Sequence, residues 1–327
     1  MRALVAGASG AIGAPLVRRL LERGHEVIGS CRSPEKADRV RALGAEPIVL
    51  DLLDPAAVRK VVASTRPEAI VHEATALARV RDFRRFDRSF ALTNRLRTEG
   101  TDALLAAARD AGVRRIVAQS FASHRYAREG GPVKTEDDPL DPNPVRSMRE
   151  THAAMRHLEQ AVTRAGGVAL RYGIFYGRPD DGLVEAVRNR IFPIVGDGAG
   201  VWSFIHLDDA AAATVLALER DGAGIYNVVD DEPAPVSEWL PYLARLVGAK
   251  PPLHVPRWLA RFIAGEAAVM MATEARGASN GKAKRELGWS PDHPTWRQGF
   301  AGAYAEPRRV DHERPSAASP RVVRHEP

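Results

Sequence analysis

The sequence holds one cysteine, Cys31. An intramolecular disulfide is therefore excluded, and so is a metal site built from thiolates. Cys31 ends an apolar run, where a free cysteine behaves as a small buried hydrophobe; a reactive thiol is the competing reading. No apolar run is long enough to span a bilayer, so no membrane segment is expected. No charged-then-apolar leader precedes "RALVAGASG", and a cytoplasmic protein is the expectation. Internal repeats are missing, and so is any nucleic-acid-binding motif. The net charge of +6 comes mostly from arginine and is partly concentrated in "EPRRVDHERPSAASPRVVRHEP", so nucleic acid is not an expected partner.

What is present is ordinary for a globular protein: 327 residues, 45% hydrophobic and 27% charged. That length allows one large domain or two interlocked ones. Short apolar runs alternate with helical stretches over the first 170 or so residues. "RALVAG", "HEVIGSC", "AEPIVLDL", "PEAIVHEAT", "VRRIVAQS" and "GGVALRYG" read as strands. "GAIGAPLVRRLLERG", "PEKADRVRALG", "RTEGTDALLAAARDAG" and "RSMRETHAAMRHLEQAV" read as helices. On the last, Met148, Thr151, Met155, Leu158 and Val162 share one face. Such alternation predicts an α/β fold, a doubly wound parallel sheet with helices on both faces.

After Arg171 the rhythm changes. "WSFIHLDDAAAATVLALER" reads as strand then helix and "GIYNVVDD" as a strand, while "VSEWLPYLARLVG" and "PRWLARFIAGEAAVMMATEA" are amphipathic helices. The expected organisation is a cofactor-binding domain over 1–172, with 203–228 returning to it. A smaller, mainly helical C-terminal substrate domain follows over 173–305, and a disordered tail over 306–327.

Gly7, Gly10 and Gly13 follow a strand and open a helix. In that context they point to a pyrophosphate held at a helix N-terminus. Ser9, Ala11 and Ile12 complete the loop. The second strand ends without the acid that usually holds a ribose 2′-hydroxyl; Arg32 and Ser33 follow, with Lys36 a turn later. A cation and a hydroxyl suit a 2′-phosphate, so NADP(H) is expected over NAD(H). Asp51 and Leu52 are placed for the adenine, and Ala74, Thr75 and Ala76 for the central phosphates and nicotinamide ribose. His72, on a buried strand, reads as structural.

In this order, "GASGAIG", "LDLLD", "VHEAT", "EGTDALLAAARDAGVRRIVAQS", "LRYGIFYG", "FPIVGDGAGVWSFIHLDDAAAA" and "GIYNVVDDEP" resemble an extended short-chain dehydrogenase/reductase of the NAD-dependent epimerase/dehydratase superfamily. The resemblance covers about residues 1–300 and implies that the α/β, doubly wound parallel sheet is a Rossmann-type domain, followed by a C-terminal substrate domain, with NAD(P)-linked redox or epimerase-type chemistry. It also implies a Ser or Thr after the fifth strand and a Tyr-x-x-x-Lys pair on the next helix, the lysine lowering the tyrosine's pKa so that it moves a proton as hydride moves. This chain departs from that pattern. Glu159 matches the acid that follows the pair, which places Thr151 where the tyrosine belongs and Met155 where the lysine belongs. Arg97 occupies the place of a helix asparagine, with Asn94 a turn earlier.

Substitutes for the missing pair are Ser120, Tyr126, His152 and Tyr172; Ser120 also lies near the nicotinamide. Ser123, His124, Lys134 and Tyr176 are further candidates. Trp202 replaces the arginine that resembling nucleotide-sugar enzymes use for a diphosphate. An indole stacks on flat or apolar substrates; a core role is equally open. Just after Trp202 come His206 and the acids Asp208 and Asp209; the acid pair resembles a structural helix cap, and no metal is expected. The leading expectation is an NADP(H)-dependent oxidoreductase or epimerase-like enzyme for a small carbonyl or alcohol substrate, aromatic or apolar in character. The rivals are a nucleotide-sugar epimerase or dehydratase and a non-catalytic NADP(H)-binding regulator. The resemblance further suggests a homodimer.

Overall fold

A computed structural model describes residues 1–77, 84–178 and 182–305. The tail expected over 306–327 lies outside them. Seven parallel strands form the main sheet: β1 (Arg2–Ala6), β2 (Glu26–Cys31), β3 (Glu46–Val49), β4 (Ala69–His72), β5 (Arg115–Phe121), β6 (Val168–Tyr172) and β7 (Gly224–Val228). Their spatial order is β7-β6-β5-β4-β1-β2-β3. Order reverses between β1 and β4, and the carboxyl ends of strands at such a switch point form a crevice.

Both faces of the sheet are covered, which is why consecutive positions of its central strands, such as Ala3 to Ala6 and Ala69 to Val71, are apolar rather than alternating. On β1, Ala3 and Val5 join one core with Leu16, Val17 and Leu20 of helix α1 (Gly13–Glu22). Leu4 and Ala6 join the opposite core with Leu104 and Ala107. The remaining helices of this half are α2 (Pro34–Ala42), α3 (Pro55–Thr65), α4 (Phe86–Arg95), α5 (Thr101–Asp110) and α6 (Arg149–Arg164). Asp54 starts α3 by accepting from the Ala56 and Ala57 amides, both at 3.0 Å, with Pro55 at the first helical position.

Helix α4 is not legible as an apolar stripe, because its buried face includes Thr93 and Asn94. It runs into five residues of wider, π-type winding, Leu96–Gly100, and then into α5. Such windings insert one residue per turn and often mark functional positions.

Downstream come α7 (Leu183–Arg188), α8 (Leu207–Glu219), α9 (Val236–Leu246), α10 (Arg257–Ala264), α11 (Glu266–Thr273), α12 (Gly281–Leu287) and α13 (Trp296–Tyr304). Helix α8 returns to the sheet, where Ala210, Ala211 and Val215 share a core with α1. Around Phe204 a separate aromatic core forms, with Trp239 and Phe300 each edge-on to it at 5.3 and 5.2 Å. The amphipathic run read at 256–275 is two helices, because Gly265 adopts φ 87° and breaks it. No helix among the described residues is long and apolar enough to cross a membrane.

Gly13 opens α1 against backbone: a Cβ there would sit 2.4 Å from the Ala8 carbonyl oxygen. Gly13→Ala is therefore expected to lower stability by about 1–3 kcal/mol, read by thermal unfolding. It should weaken nucleotide binding in parallel, because the loop and the helix end must separate.

Candidate active site

Gly7 leaves β1 with φ 94°, and a Cβ there would meet the Ala74 amide nitrogen at 2.8 Å. The loop closes by a Gly10 N–H bond to the Gly7 carbonyl at 2.9 Å, and the Ala8 N–H reaches the Ser30 carbonyl at 3.1 Å. No side chain caps the start of α1. Its first amides have no side-chain partner, an arrangement that suits a pyrophosphate. Gly10 and Ala11 are exposed and Ser9 half-buried, whereas Ile12 turns into the core.

At the end of β2, Arg32 is exposed and has no partner among the described residues, while the Ser33 hydroxyl engages Glu35. Asp51 is exposed and accepts the Leu53 amide at 3.0 Å; Leu52 is buried against Gly100. After β4, Ala74 and Thr75 are half-buried, and the Ala76 amide is spent on the Thr93 hydroxyl at 3.0 Å. All these segments follow the carboxyl ends of their strands, along one edge of the sheet.

Helix α6 carries no cap of its own. Asp87, from the first turn of α4, caps it from outside, accepting from the Glu150 and Thr151 amides at 3.1 and 2.9 Å. The same carboxylate accepts the Thr151 hydroxyl at 2.8 Å, and Asn94 donates to that hydroxyl at 3.1 Å. Thr151 is thus fully engaged, and Met155, one turn on, is buried. Neither place holds an ionisable group. Asp87 was not singled out in the sequence; its only signal was an acid near a helix start.

One turn further, Glu159 is buried between two arginines. Arg171 reaches it twice, at 2.9 and 2.8 Å, and Arg125 forms a bidentate pair with it. Ser120 donates to the same carboxylate at 2.6 Å. Burial alone would raise the Glu159 pKa, but Arg125 and Arg171 outweigh it and hold it at about 2. Tyr126 donates to Asn227 at 2.7 Å and accepts from Arg171 at 3.0 Å, and burial pushes its phenol up.

Tyr172 lies in a different contact set. Its hydroxyl is 3.1 Å from Glu73 and 2.6 Å from Thr214, deep beneath the crevice. Burial lifts the Glu73 carboxyl to about 8, so it is largely protonated at neutral pH. Three candidate hydroxyls, on Ser120, Tyr126 and Tyr172, are therefore all satisfied within the chain.

The histidines differ. His124, at φ 52°, stacks on His152 with ring centroids 5.6 Å apart. His152 Nε2 and His124 Nδ1 are sealed from solvent and have no partner. Burial drives both toward the neutral form, His152 to about 3. His72 is buried with Nε2 3.1 Å from the Leu96 carbonyl.

The remaining candidates lie elsewhere. Lys134 is buried and paired with Asp138 at 3.2 Å. Tyr176 packs edge-on to Phe300, and Trp202 donates its indole N–H to the Met271 carbonyl while its ring leans on Trp239 at 4.9 Å. The cap of α8 is His206, whose Nδ1 accepts the Asp208 amide at 3.2 Å. Asp209 instead holds the C-terminal segment, accepting the Asp292 and His293 amides at 2.8 and 3.0 Å. His206, Asp209 and His293 offer ligand atoms within 4.8 Å of one another.

Comparison with known proteins places this geometry. The family model described as NAD dependent epimerase/dehydratase matches residues 3–228. A Streptomyces protein named 3-diazoavenalumate denitrifying reductase is 45% identical, the match covering 92% of this chain and 99% of that one. A Stigmatella aurantiaca protein named 4-hydroxy-2-methyl-3-oxo-4-farnesyl-3,4-dihydroquinoline-1-oxide ketoreductase is 30% identical, with 95% of this chain and all of that one (100%) covered. The crystal structure of Thermotoga maritima UDP-glucose 4-epimerase with UDP-glucose superposes with a TM-score of 0.74 at 21% identity, covering 93% of this chain and 97% of that one. At that identity the likeness is one of fold.

Two buried carboxyls give stability opposite pH dependences. Glu159 is held below its ordinary 4.5, so its contribution is complete above 4.5 and lost as pH falls toward about 2. Glu73 is held above 4.5, so its contribution is complete below 4.5 and lost as pH rises through about 8. Glu159→Gln is expected to cost about 3–5 kcal/mol at pH 7, since it leaves two buried arginines unpaired, and to flatten the acid limb. Glu73→Gln is expected to flatten only the alkaline limb. Urea denaturation from pH 3 to 9 measures both.

Proposed function

The chain belongs to the NAD-dependent epimerase/dehydratase family and is an NAD(P)-dependent enzyme of the oxidoreductase/epimerase type, and on that premise we propose that it is an NADP(H)-dependent reductase whose hydride acceptor needs no proton from a tyrosine. One observation carries the reading. At the two places on α6 where proton-transfer chemistry is expected, Thr151 is locked to Asp87 and Asn94, and Met155 is buried.

A reductase without that pair suits substrates that accept hydride at carbon and expel a neutral leaving group. When bound, a reduced nicotinamide supplies the hydride, and with a diazonium acceptor one C–H bond forms, the C–N bond breaks with its electron pair leaving as dinitrogen, and the nicotinamide is left oxidised. No oxygen becomes an alkoxide, so no acid is called for. The 45% identity to a reductase named for denitrifying a diazo compound favours this substrate class. Ketone reduction, favoured by the 30% identical ketoreductase, does require a proton at oxygen. For that reaction His124 and His152 are the groups with unspent ring nitrogens. A nucleotide-sugar substrate is disfavoured by Trp202, because an indole cannot replace a cation at a diphosphate.

In this reading Gly7, Ser9, Gly10, Ala11 and Gly13 hold the pyrophosphate, and Asp51 and Leu52 flank the adenine. Ala74, Thr75 and Ala76 line the path to the nicotinamide. Residues 1–172 with 203–228 carry the cofactor, and the rest of 173–305 closes over the substrate. Arg32, exposed and unpartnered, takes the 2′-phosphate. Ser120, Tyr126 and Tyr172 act as positioning groups, through Glu159, Arg171 and Glu73.

The test is oxidation of NADPH and NADH, followed at the nicotinamide band, with an arenediazonium salt, ketones and quinones as acceptors. Dinitrogen release with NADPH consumption is expected. Turnover of ketones alone would assign the ketoreductase chemistry instead, and no turnover of any acceptor would favour a cofactor-binding regulator. Arg32→Ala is expected to weaken NADPH by about tenfold or more, the value of a charge-assisted bidentate contact, and to leave NADH unchanged. Tighter NADH binding by the unaltered protein would overturn the NADP(H) assignment.

A further inference from the structure

Arg97 is 4% exposed, yet it makes no hydrogen bond or ion pair among the described residues. Its Nε and Nη1 are both sealed from water. Buried charges are otherwise paired, and an unpartnered guanidinium forfeits several charge-assisted bonds. The acid whose charge acts on it, Glu159, cannot serve it. The Glu159 carboxylate already takes Arg125, Arg171 and Ser120. Two buried arginines thus occupy that carboxylate, and Arg97 is left without one.

The surroundings are equally short of partners. His72 Nδ1, Asn94 Oδ1, Ser123 Oγ, His124 Nδ1 and His152 Nε2 are sealed and unbonded. These residues form a connected set. His72 bonds the Leu96 carbonyl beside Arg97; Asn94 bonds Thr151 beside His152; His152 stacks on His124. They come from the end of β4, from α4, from the turn after β5 and from α6. This is the carboxyl edge next to the β1–β4 switch point. Arg97 lies within the wider winding at Leu96–Gly100, where its side chain is buried. Its charge is felt by His72 and His124, both of which it pushes further toward the neutral form after burial has done most. Burial, with Arg125, lowers the Arg97 pKa to about 10, so it remains a cation at neutral pH.

We propose that Arg97 is an anion-binding residue of the active site, presenting its free guanidinium edge to a carboxylate or phosphate of a bound small molecule. Planar bidentate recognition of such oxygens is what arginine does best. The inference deepens the reductase reading and rests on it for the identity of the bound molecules: the anion is a substrate carboxylate or a phosphate of the cofactor.

Binding separates these sources without turnover. Benzoate serves as the carboxylate probe and benzamide as its neutral counterpart, alongside NADPH, each titrated calorimetrically. Against Arg97→Met, benzoate is expected to lose at least tenfold in affinity with benzamide unchanged, which assigns the site to a substrate carboxylate. A tenfold loss for NADPH with benzoate indifferent also supports the site and assigns it to the cofactor. Arg97→Met should raise the melting temperature of the ligand-free protein, since it removes an unpaired buried charge; a residue that only supports the fold would lower it. Unchanged affinity for both benzoate and NADPH overturns the proposal. Should Arg97→Met not fold, Arg97→Lys, which keeps the charge and loses the fork, is expected to weaken the same ligand several-fold, and equal binding overturns the proposal. A protein that binds benzoate through Arg97 but oxidises no NADPH would keep this inference and lose the reductase reading.

Discussion

The fold of the catalytic half turns on one buried carboxylate. Glu159 lies within the protein on α6, where leaving a charge unpaired is costly. Arg125, from the segment after β5, and Arg171, from β6, neutralise it and fix three elements at one point. Ser120 on β5 completes the carboxylate's bonding, and Arg171 passes the constraint through Tyr126 to Asn227 on β7. Hydrophobic burial alone leaves helix position on a sheet loosely specified, because apolar contacts are non-directional. A bidentate pair sets register and orientation together.

The same network decides what chemistry remains. Each hydroxyl that satisfies a buried partner is lost as a free proton donor. Tyr126 and Tyr172 also have their phenol pKa values pushed up by burial, away from useful acidity. Asp87 does to Thr151 what Glu159 does to Ser120. Groups left outside these networks are the ones free to meet a ligand, and around Arg97 they include His72 Nδ1, Asn94 Oδ1, Ser123 Oγ, His124 Nδ1 and His152 Nε2.

The strand–helix alternation and the glycine loop were legible in the sequence because both depend on local rules: apolar runs buried on two faces, and backbone that tolerates no Cβ. Gly7 and Gly13 fall into the latter group. Helix α4 was not legible, because it buries Thr93 and Asn94 to hold Ala76 and Thr151, and apolar periodicity cannot see such a face. The α8 cap was read in the acids, yet His206 supplies it and Asp209 turns to a segment 83 and 84 residues away in the chain. Arg97 could be seen to replace an asparagine. Its lack of a partner could not, since that depends on Glu159 already being spent on two arginines distant in sequence.

Charge balance ties the two proposals together. A diazonium is a cation, and a crevice holding an unpaired arginine would repel it. Neutral histidines keep that field from growing, since burial prevents His124 and His152 from adding charge. They do not cancel Arg97. A carboxylate on the same substrate does, at a site where low polarisability makes the pairing count. The substrate that reconciles these terms carries an anion for Arg97 and an electron-poor carbon for hydride. Loss of the tyrosine–lysine pair then removes a second cation from the site as well as an acid, and both losses favour a positively charged acceptor.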